Sequence, residues 1–531
     1  MDCTFLPYEK THAFSGLVLD YLANKESLKA FYRYRPDPEG MSEAISQREK
    51  HPVNRSLLVK VLREQYEGIP LTGAAEKNLE LLSSESTFTV CTAHQPNLLT
   101  GYLYFIYKIV HAIVLAEELN KQFPGKHFVP VYYLGSEDND LQELGTFRYN
   151  NERFTWDGGG QSGAVGRMST ESLQPLIRDL FKKLGPPGPH CDELKQLLEN
   201  AYTKQPTIGK ATAWLVNALF GNYGLLVIDP DHSGLKRAFI PVMKEDLLEH
   251  SARQVLGDTV SALAANYKVQ AYPRAINLFY LTDGLRERIE QKGERWQVLN
   301  TDITWSREEL LTELEQYPER FSPNVILRGL FQESILPNVA FIGGGAELAY
   351  WLQLCQLFEH YKVFFPAIHL RQSVTWINSA EHRLREQLGL SLEQVFKPET
   401  DLIHSFVRSK SGDQWQTNNE LQEMEQVLSA LRSKAITLDP TLKGASEAVT
   451  AKIRYQLQVL EKKMLRAEKR KMQVELQRIE KLKRKLFPGG SLQERTENFM
   501  EYYLQYGAEF IGMLHRSFQP YRHEFLIVEE Q

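Results

Sequence analysis

The sequence predicts an α/β protein, a parallel-sheet core with connecting insertions followed by an α-helical coiled-coil domain. Three observations carry that expectation. Phe88 to Leu144 runs strand, tight loop, helix, loop, strand and acidic loop, a βαβ unit that requires parallel strands and a right-handed crossover. The pattern of a buried strand ending in polar or glycine residues returns at Gly224 and again at Ser322. From about Ser379 the strand signals stop and long helical runs with an apolar seam take over.

At 531 residues the chain is too long for one core, and roughly three domains are expected. The divisions fall at 1–85, a helical segment packed on the core; 86–380, the core, with insertions at about 146–222 and 282–321; 381–490, the coiled coil; and 491–531, a helical segment packed on the coiled coil. Hydrophobic content of 42% and charged content of 24% are those of an ordinary soluble globular protein. A net charge of −5 gives no argument for nucleic acid, and no apolar run is long enough for a bilayer. MDCTFLPYEK lacks the basic and apolar regions of a signal peptide. Cys3, Cys91, Cys191 and Cys355 form no CxxC pair, so neither a metal site nor a disulfide framework is expected, and a reducing cytoplasm is the natural setting.

Taken in order, residues 1 to about 85 read as mostly helical, with helical spacing over Ser56–Gln65 and Ala74–Leu82. FTVCTA is strand-like, Pro96, Asn97 and Gly101 punctuate a turn, and Tyr102 to Leu119 is a helix apolar on most faces. HFVPVYYLG is the second strand, ending in Ser136-Glu137-Asp138-Asn139-Asp140. Gly158 to Gly160 lack the Lys-Ser or Lys-Thr of a phosphate loop, and Ile208-Gly209-Lys210 reads as a helix start. LLVID ends in Asp229-Pro230-Asp231-His232, either ligand-binding acids or helix caps. AINLFYL is a strand, and a charged stretch with Arg286 and Arg288 forms a hairpin with Trp296 to Leu299. A helix carrying Arg328, Gln332 and Glu333 leads to the strand VAFI, the turn Gly343-Gly344-Gly345 and a helix to His360, then the strand VFFPAIHL and Arg371. Leu421–Ile436 and Ala445–Leu486 form a helical hairpin or dimeric coiled coil, its apolar seam shifting register as a stutter would.

In parallel sheets ligands bind beyond the carboxyl ends of the strands, where these polar clusters fall. His94, Gln95, Glu137, Asp138 and Asp140 are the candidate catalytic residues: the histidine to stabilise phosphate charge, the acids to bind an amine or take its proton. Thr100, Lys108, Ser136, Asn338, Gly343, Gly344 and Glu347 are candidate substrate-binding residues, the glycine turn because N–H groups at a helix start favour anions. Arg495, Asn498, Tyr502 and Tyr506 are a candidate cradle for a purine and phosphate, with plain packing as the alternative.

TAHQPNLLTGYLYFIYKI, VPVYYLGSEDNDLQEL, GLLVIDPDH, INLFYLTDGLRERI, FSPNVILRGLFQESILPNVAFIGGGAELAYWLQL and LFPGGSLQERTENFMEYYLQYG, in this order, resemble the bacillithiol biosynthesis cysteine-adding enzymes. The resemblance implies a Rossmann-like, nucleotidylyltransferase-like core and a coiled coil that makes a homodimer. It implies a ligase joining the carboxylate of cysteine to the amine of glucosaminyl malate, with ATP or ADP as nucleotide and the carboxylate activated as an acyl-adenylate or acyl-phosphate. The lysine-rich KMSKS-type loop of class I tRNA synthetases has no counterpart here. A nucleotidylyltransferase-like enzyme for another small acid or sugar, and a non-enzymatic coiled-coil assembly protein, are the alternatives.

Overall fold

The computed structural model describes residues 1–411 and 418–531. Strand β1 (Asp2–Pro7) and the short helix α1 (Gly16–Leu22) precede three further helices. The core opens with β2 (Thr87–His94), helix α2 (Leu103–Gln122), β3 (His127–Leu134) and, after the first insertion, β4 (Leu226–Ile228). A second sheet follows, built from β5 (Leu278–Thr282), β6 (Leu285–Lys292), β7 (Arg295–Val298), β8 (Thr304–Trp305) and β9 (Phe321–Pro323). The chain returns to the core through α3 (Val325–Ile335), β10 (Asn338–Gly343), α4 (Gly345–His360) and β11 (Ala367–Leu370). It continues with β12 (Val374–Ile377), the long helices α5 (Asn418–Leu438), α6 (Lys443–Lys471) and α7 (Gln473–Leu486), then α8 (Phe499–Tyr506), α9 (Glu509–Ser517) and β13 (Glu524–Glu529).

The central sheet runs β11-β10-β2-β3-β4, and every pairing in it is parallel. Parallel strands covered by helices on both faces are apolar without alternation, which is why TFTVCTA shows no period of two and is buried almost throughout. Helix α2 has thirteen buried positions spread around its circumference, because it is enclosed by the sheet on one side and by later helices on the other. The second sheet, β8-β7-β6-β5-β9, is entirely antiparallel. The expected hairpin of Arg286 and Arg288 with Trp296–Leu299 is there, and AINLFYL supplies β5 of this sheet.

Four expectations need correction. The amino-terminal segment is mostly helical, but it starts with β1, and strands do not stop at Ser379: β13 lies between β1 and β12 in a third sheet. FLIV in β13 is a short apolar run with few turn signals around it, and its partners lie at the far end of the sequence. The expected long helix over Ala445–Leu486 breaks at Met472, which has non-helical backbone angles (φ −108°, ψ 25°). This is where the apolar seam changes register. Before the break α6 has no buried residue; after it Ile479, Leu482 and Leu486 of α7 are fully buried against the core. Helices α5 and α6 pair antiparallel as a projecting arm, tied by Arg432–Glu447 and Glu425–Arg454. Helices α8 and α9, expected on the coiled coil, lie against Pro189–Tyr202 and α2.

Candidate active site

A cleft of about 490 Å³ lies beyond the carboxyl ends of β2, β10 and β11. Its floor is the glycine turn and first residues of α4, Gly344 to Glu347. One wall carries His94 and Gln95 from the end of β2 with Tyr104 and Lys108 from α2. The other carries Arg328 from α3, Tyr350 from α4 and Arg371 just after β11. Phe14 and Ser15 close the amino-terminal side, and Arg495 reaches in from the carboxy-terminal segment.

Burial sets the chemistry of this cleft. Lys108 sits in the middle of α2 with its ammonium buried, donating to the Ala93 carbonyl and, at 2.7 Å, to Glu347 Oε2. Burial pulls its pKa down and Glu347 opposes that pull. Glu347 Oε2 also accepts the Gly344 N–H at 2.9 Å, so an internal carboxylate already occupies one donor of the helix start. His94 packs its ring against Tyr104 and Phe105, and burial, followed by the charges of Lys108, Arg328 and Arg371, holds its pKa well below 6.5. Burial thus favours the neutral imidazole, whose Nε2 has no hydrogen-bond partner among the described residues.

The cations differ in how they are satisfied. Arg371 forms a two-point ion pair with Glu494, both contacts 2.7 Å, and donates to Ser373 Oγ at 3.1 Å. Arg328 has no carboxylate within ion-pair distance among the described residues, and Asp138, Glu347 and the phenols of Tyr350 and Tyr133 act on it electrostatically. Arg328 was legible on its helix but not as a site residue, since nothing in the linear order points α3 at the cleft.

Consecutive residues of the acidic loop part company. Asp138 accepts from Gln95 Nε2 at 3.3 Å, which ties it to a residue of the cleft wall without its lining the cleft itself. Glu137 turns away into a buried ion pair with Lys236, and Ser136 donates to Asp229 Oδ1 at 2.5 Å. Asp231, gripped by Arg167 at 2.7 and 2.8 Å, completes this second cluster at the ends of β3 and β4. Burial, with Asp231 nearby, pushes Asp229 up to about 7, while Arg167 and Lys236 outweigh burial and hold Asp231 below its usual value. Between pH 3.8 and 7 the folded protein therefore holds a proton on Asp229 that the unfolded chain has released, and stability is lost as pH rises through that window. Thermal melts of Asp229→Asn and the parent across pH 4–8 check this. The variant is expected to gain on the parent as pH rises towards 7 and to hold its gain above; a pH-independent difference contradicts it.

Other candidates lie outside the cleft, most of them with structural partners, although the hydroxyls of Thr100 and Tyr506 are buried without one among the described residues. Asp140 caps the helical turn Leu141–Leu144, accepting from Glu143 N at 3.1 Å. Asn338 is at the amino end of β10, the wrong end of the strand, bonded to Glu333 and Thr89. Thr100 is buried in the turn before α2 at φ +64°. Gly343 shapes the turn: a Cβ there would lie 2.9 Å from the Phe341 ring. Asn498 caps α8 and donates to the carbonyls of Leu99 and Gly101, Tyr502 donates to Glu497 at 2.6 Å, and Tyr506 packs on Trp376. Of the expected purine cradle only Arg495 borders open space. It lines the cleft and also a neighbouring cavity of about 700 Å³ that includes His12, Lys483, Arg484, Phe487 and Gly489. Lys483 there sits 3.8 Å over the Phe487 ring and bonds the carbonyls of Val395 and Lys397, and burial lowers its pKa to about 8.

Residues 1–372 match the family model for the bacillithiol biosynthesis BshC N-terminal Rossmann-like domain, and residues 374–530 match that for the BshC C-terminal coiled-coil domain. This chain belongs to the BshC family. A BshC relative from Flavobacterium johnsoniae, named "Putative cysteine ligase BshC", is 39% identical over 99% of both chains. Relatives of the same name come from Christiangramia forsetii, 38% identical over 99% of both, and Bacillus cytotoxicus, 27% identical over 93% of this chain and 94% of the other. The two BshC domain matches meet at residue 373, so the Arg371–Glu494 pair bridges them, and the cleft takes residues from both.

Proposed function

We propose that this protein is a cysteine ligase of bacillithiol biosynthesis that joins the carboxylate of cysteine to the glucosamine amine of glucosaminyl malate at the expense of ATP. The observation that carries the reading is Arg328: a guanidinium without a counter-ion among the described residues, in a cleft where Lys108 and Arg371 are already paired. Such a group calls for an external carboxylate. The cleft volume falls within the roughly 300–1,000 Å³ of small-molecule sites.

A carboxylate is a poor electrophile, and ATP supplies the leaving group that it lacks. The neighbouring cavity suits a polyphosphate, with Lys483, Arg484 and Arg495 on its walls and the backbone of Gly489 and Gly490 accessible. Arg495 borders both spaces. Around the donor, Arg328, Lys108 and the N–H groups of Gly345 and Ala346 provide fixed positive potential for charge that builds on the carboxyl oxygen. Asp138, oriented by Gln95, binds the glucosamine ammonium and takes its proton as the amine attacks. His94 beside it is neutral and does not repel that ammonium.

The protein works as a homodimer through the α5–α6 arm. Leu431, Val449, Tyr455 and Leu460 are each at least half exposed there, apolar groups that a second copy would cover. Leu431→Glu with Leu460→Glu is expected to halve the mass measured by light scattering and to leave the melting temperature of the core unchanged; an unaltered mass refutes the arm as the dimer contact. For the reaction itself, purified protein with L-cysteine, glucosaminyl malate and ATP should yield an amide of the combined mass less one water, seen by mass spectrometry. Failure to form it with all three present overturns the reading.

A further inference from the structure

Behind the cleft lies a second, much smaller space of about 40 Å³. It shares His94, Gln95, Arg328, Glu347 and Tyr350 with the cleft, so the two adjoin across the Arg328 guanidinium. Its far wall is different in kind. Tyr133 from β3, Phe341 from β10 and Trp351 from α4 each expose about 1% of their surface, and the Phe341 and Trp351 rings lie 4.6 Å apart. Gln332, the polar residue of that wall, already gives its amide to Glu333 at 2.8 Å.

Glycines keep the space open. A Cβ on Gly329 would lie 3.2 Å from ring carbons of Trp351, and one on Gly135 would lie 3.5 Å from Arg328 Nη1. A volume of this order admits a group of about two or three heavy atoms, since one water needs about 10–15 Å³. Aromatic walls favour a polarizable sulfur, while His94 Nε2 and Trp351 Nε1, on two of the lining residues, are buried without a hydrogen-bond partner among the described residues.

We propose that this chamber receives the side chain of the amino-acid donor, a CH2–SH group, while Arg328 at its mouth binds the donor carboxylate. The inference rests on the ligase reading and adds to it the origin of donor selectivity. The chamber has the length of a β-thiol and not of a γ-thiol, so L-homocysteine is excluded by size. L-Serine is equal in length and differs by the sulfur–aromatic contacts it cannot make.

The test uses the full chain, with L-cysteine, L-2-aminobutyrate, L-serine and L-homocysteine as donors. Amide formation and calorimetric binding are measured side by side. The parent should rank cysteine first, 2-aminobutyrate next and homocysteine last. Phe341→Leu, which enlarges the far wall, should raise kcat/KM for homocysteine at least tenfold relative to cysteine. Gly329→Ala, which narrows the chamber, should raise KM for cysteine and leave KM for the acceptor alone. If cysteine is turned over but both variants keep the parent's donor ranking, the chamber is not the thiol site. If no amide forms with any donor, the ligase reading fails, and calorimetry decides the chamber separately: cysteine binding weakened by Gly329→Ala upholds it, and no binding, or binding unchanged by that replacement, overturns it.

Discussion

Replacing Glu494 with alanine is expected to cost about 3–5 kcal/mol of stability, among the largest losses available from one side chain in this protein. Glu494 is fully buried and holds both terminal nitrogens of Arg371, itself 5% exposed. Without the carboxylate the guanidinium is left desolvated, with only Ser373 Oγ and the Tyr104 face close by. Tyr8, whose hydroxyl reaches the Arg371 carbonyl and the Ser373 N–H, belongs to the same knot, so the loss extends to the amino-terminal strand. Urea denaturation measures the effect. Removing both charges together, as Arg371→Met with Glu494→Leu, should restore a large part of the loss, because no unpaired charge then remains. A Glu494→Ala protein as stable as its parent would show that the pair is dispensable.

Arg328→Gln is expected to lower kcat/KM of the ligase by roughly 100- to 1,000-fold with little change in melting temperature. Among the described residues nothing is ion-paired to Arg328, so its removal strands no carboxylate there, in contrast to Glu494. Glutamine keeps hydrogen-bonding capacity but loses the charge and the two-point geometry that a carboxylate prefers. Steady-state kinetics with cysteine varied reads this directly. A loss confined to stability, with catalysis intact in the folded fraction, would remove Arg328 from the site.

The legible part of the site was the part written locally. His94-Gln95 follows a strand and precedes a helix, and Gly344 to Glu347 does the same, so both fell at carboxyl ends of parallel strands from pattern alone. The acidic loop was legible as a loop, but neighbouring residues point to different clusters: Asp138 to Gln95, Glu137 to Lys236. Asn338 was misplaced because proximity in sequence to the glycine turn is not proximity in space; the two lie at opposite ends of a six-residue strand. The Arg371–Glu494 pair could not be read, since its partners are 123 residues apart and each is unremarkable in its own context. The same holds for β1 and β13, whose pairing joins positions over five hundred residues apart. Asn498, Tyr502 and Tyr506 illustrate the converse: polar and aromatic groups on one helix read as a ligand cradle, and the fold uses them for capping and packing.

The pairing of β1 with β13 has a mechanical side. Asp2 faces Glu529 and Pro7 faces Glu524, and Gln531 donates to Asp2 at 2.6 Å. A load drawn between residues 2 and 529 would therefore meet the ladder rungs one after another, as a zip fastener opens, instead of loading them together in shear. In a single-molecule pulling experiment, that strand should peel away at low force and carry Tyr8 off the Arg371 knot before the parallel sheet gives way.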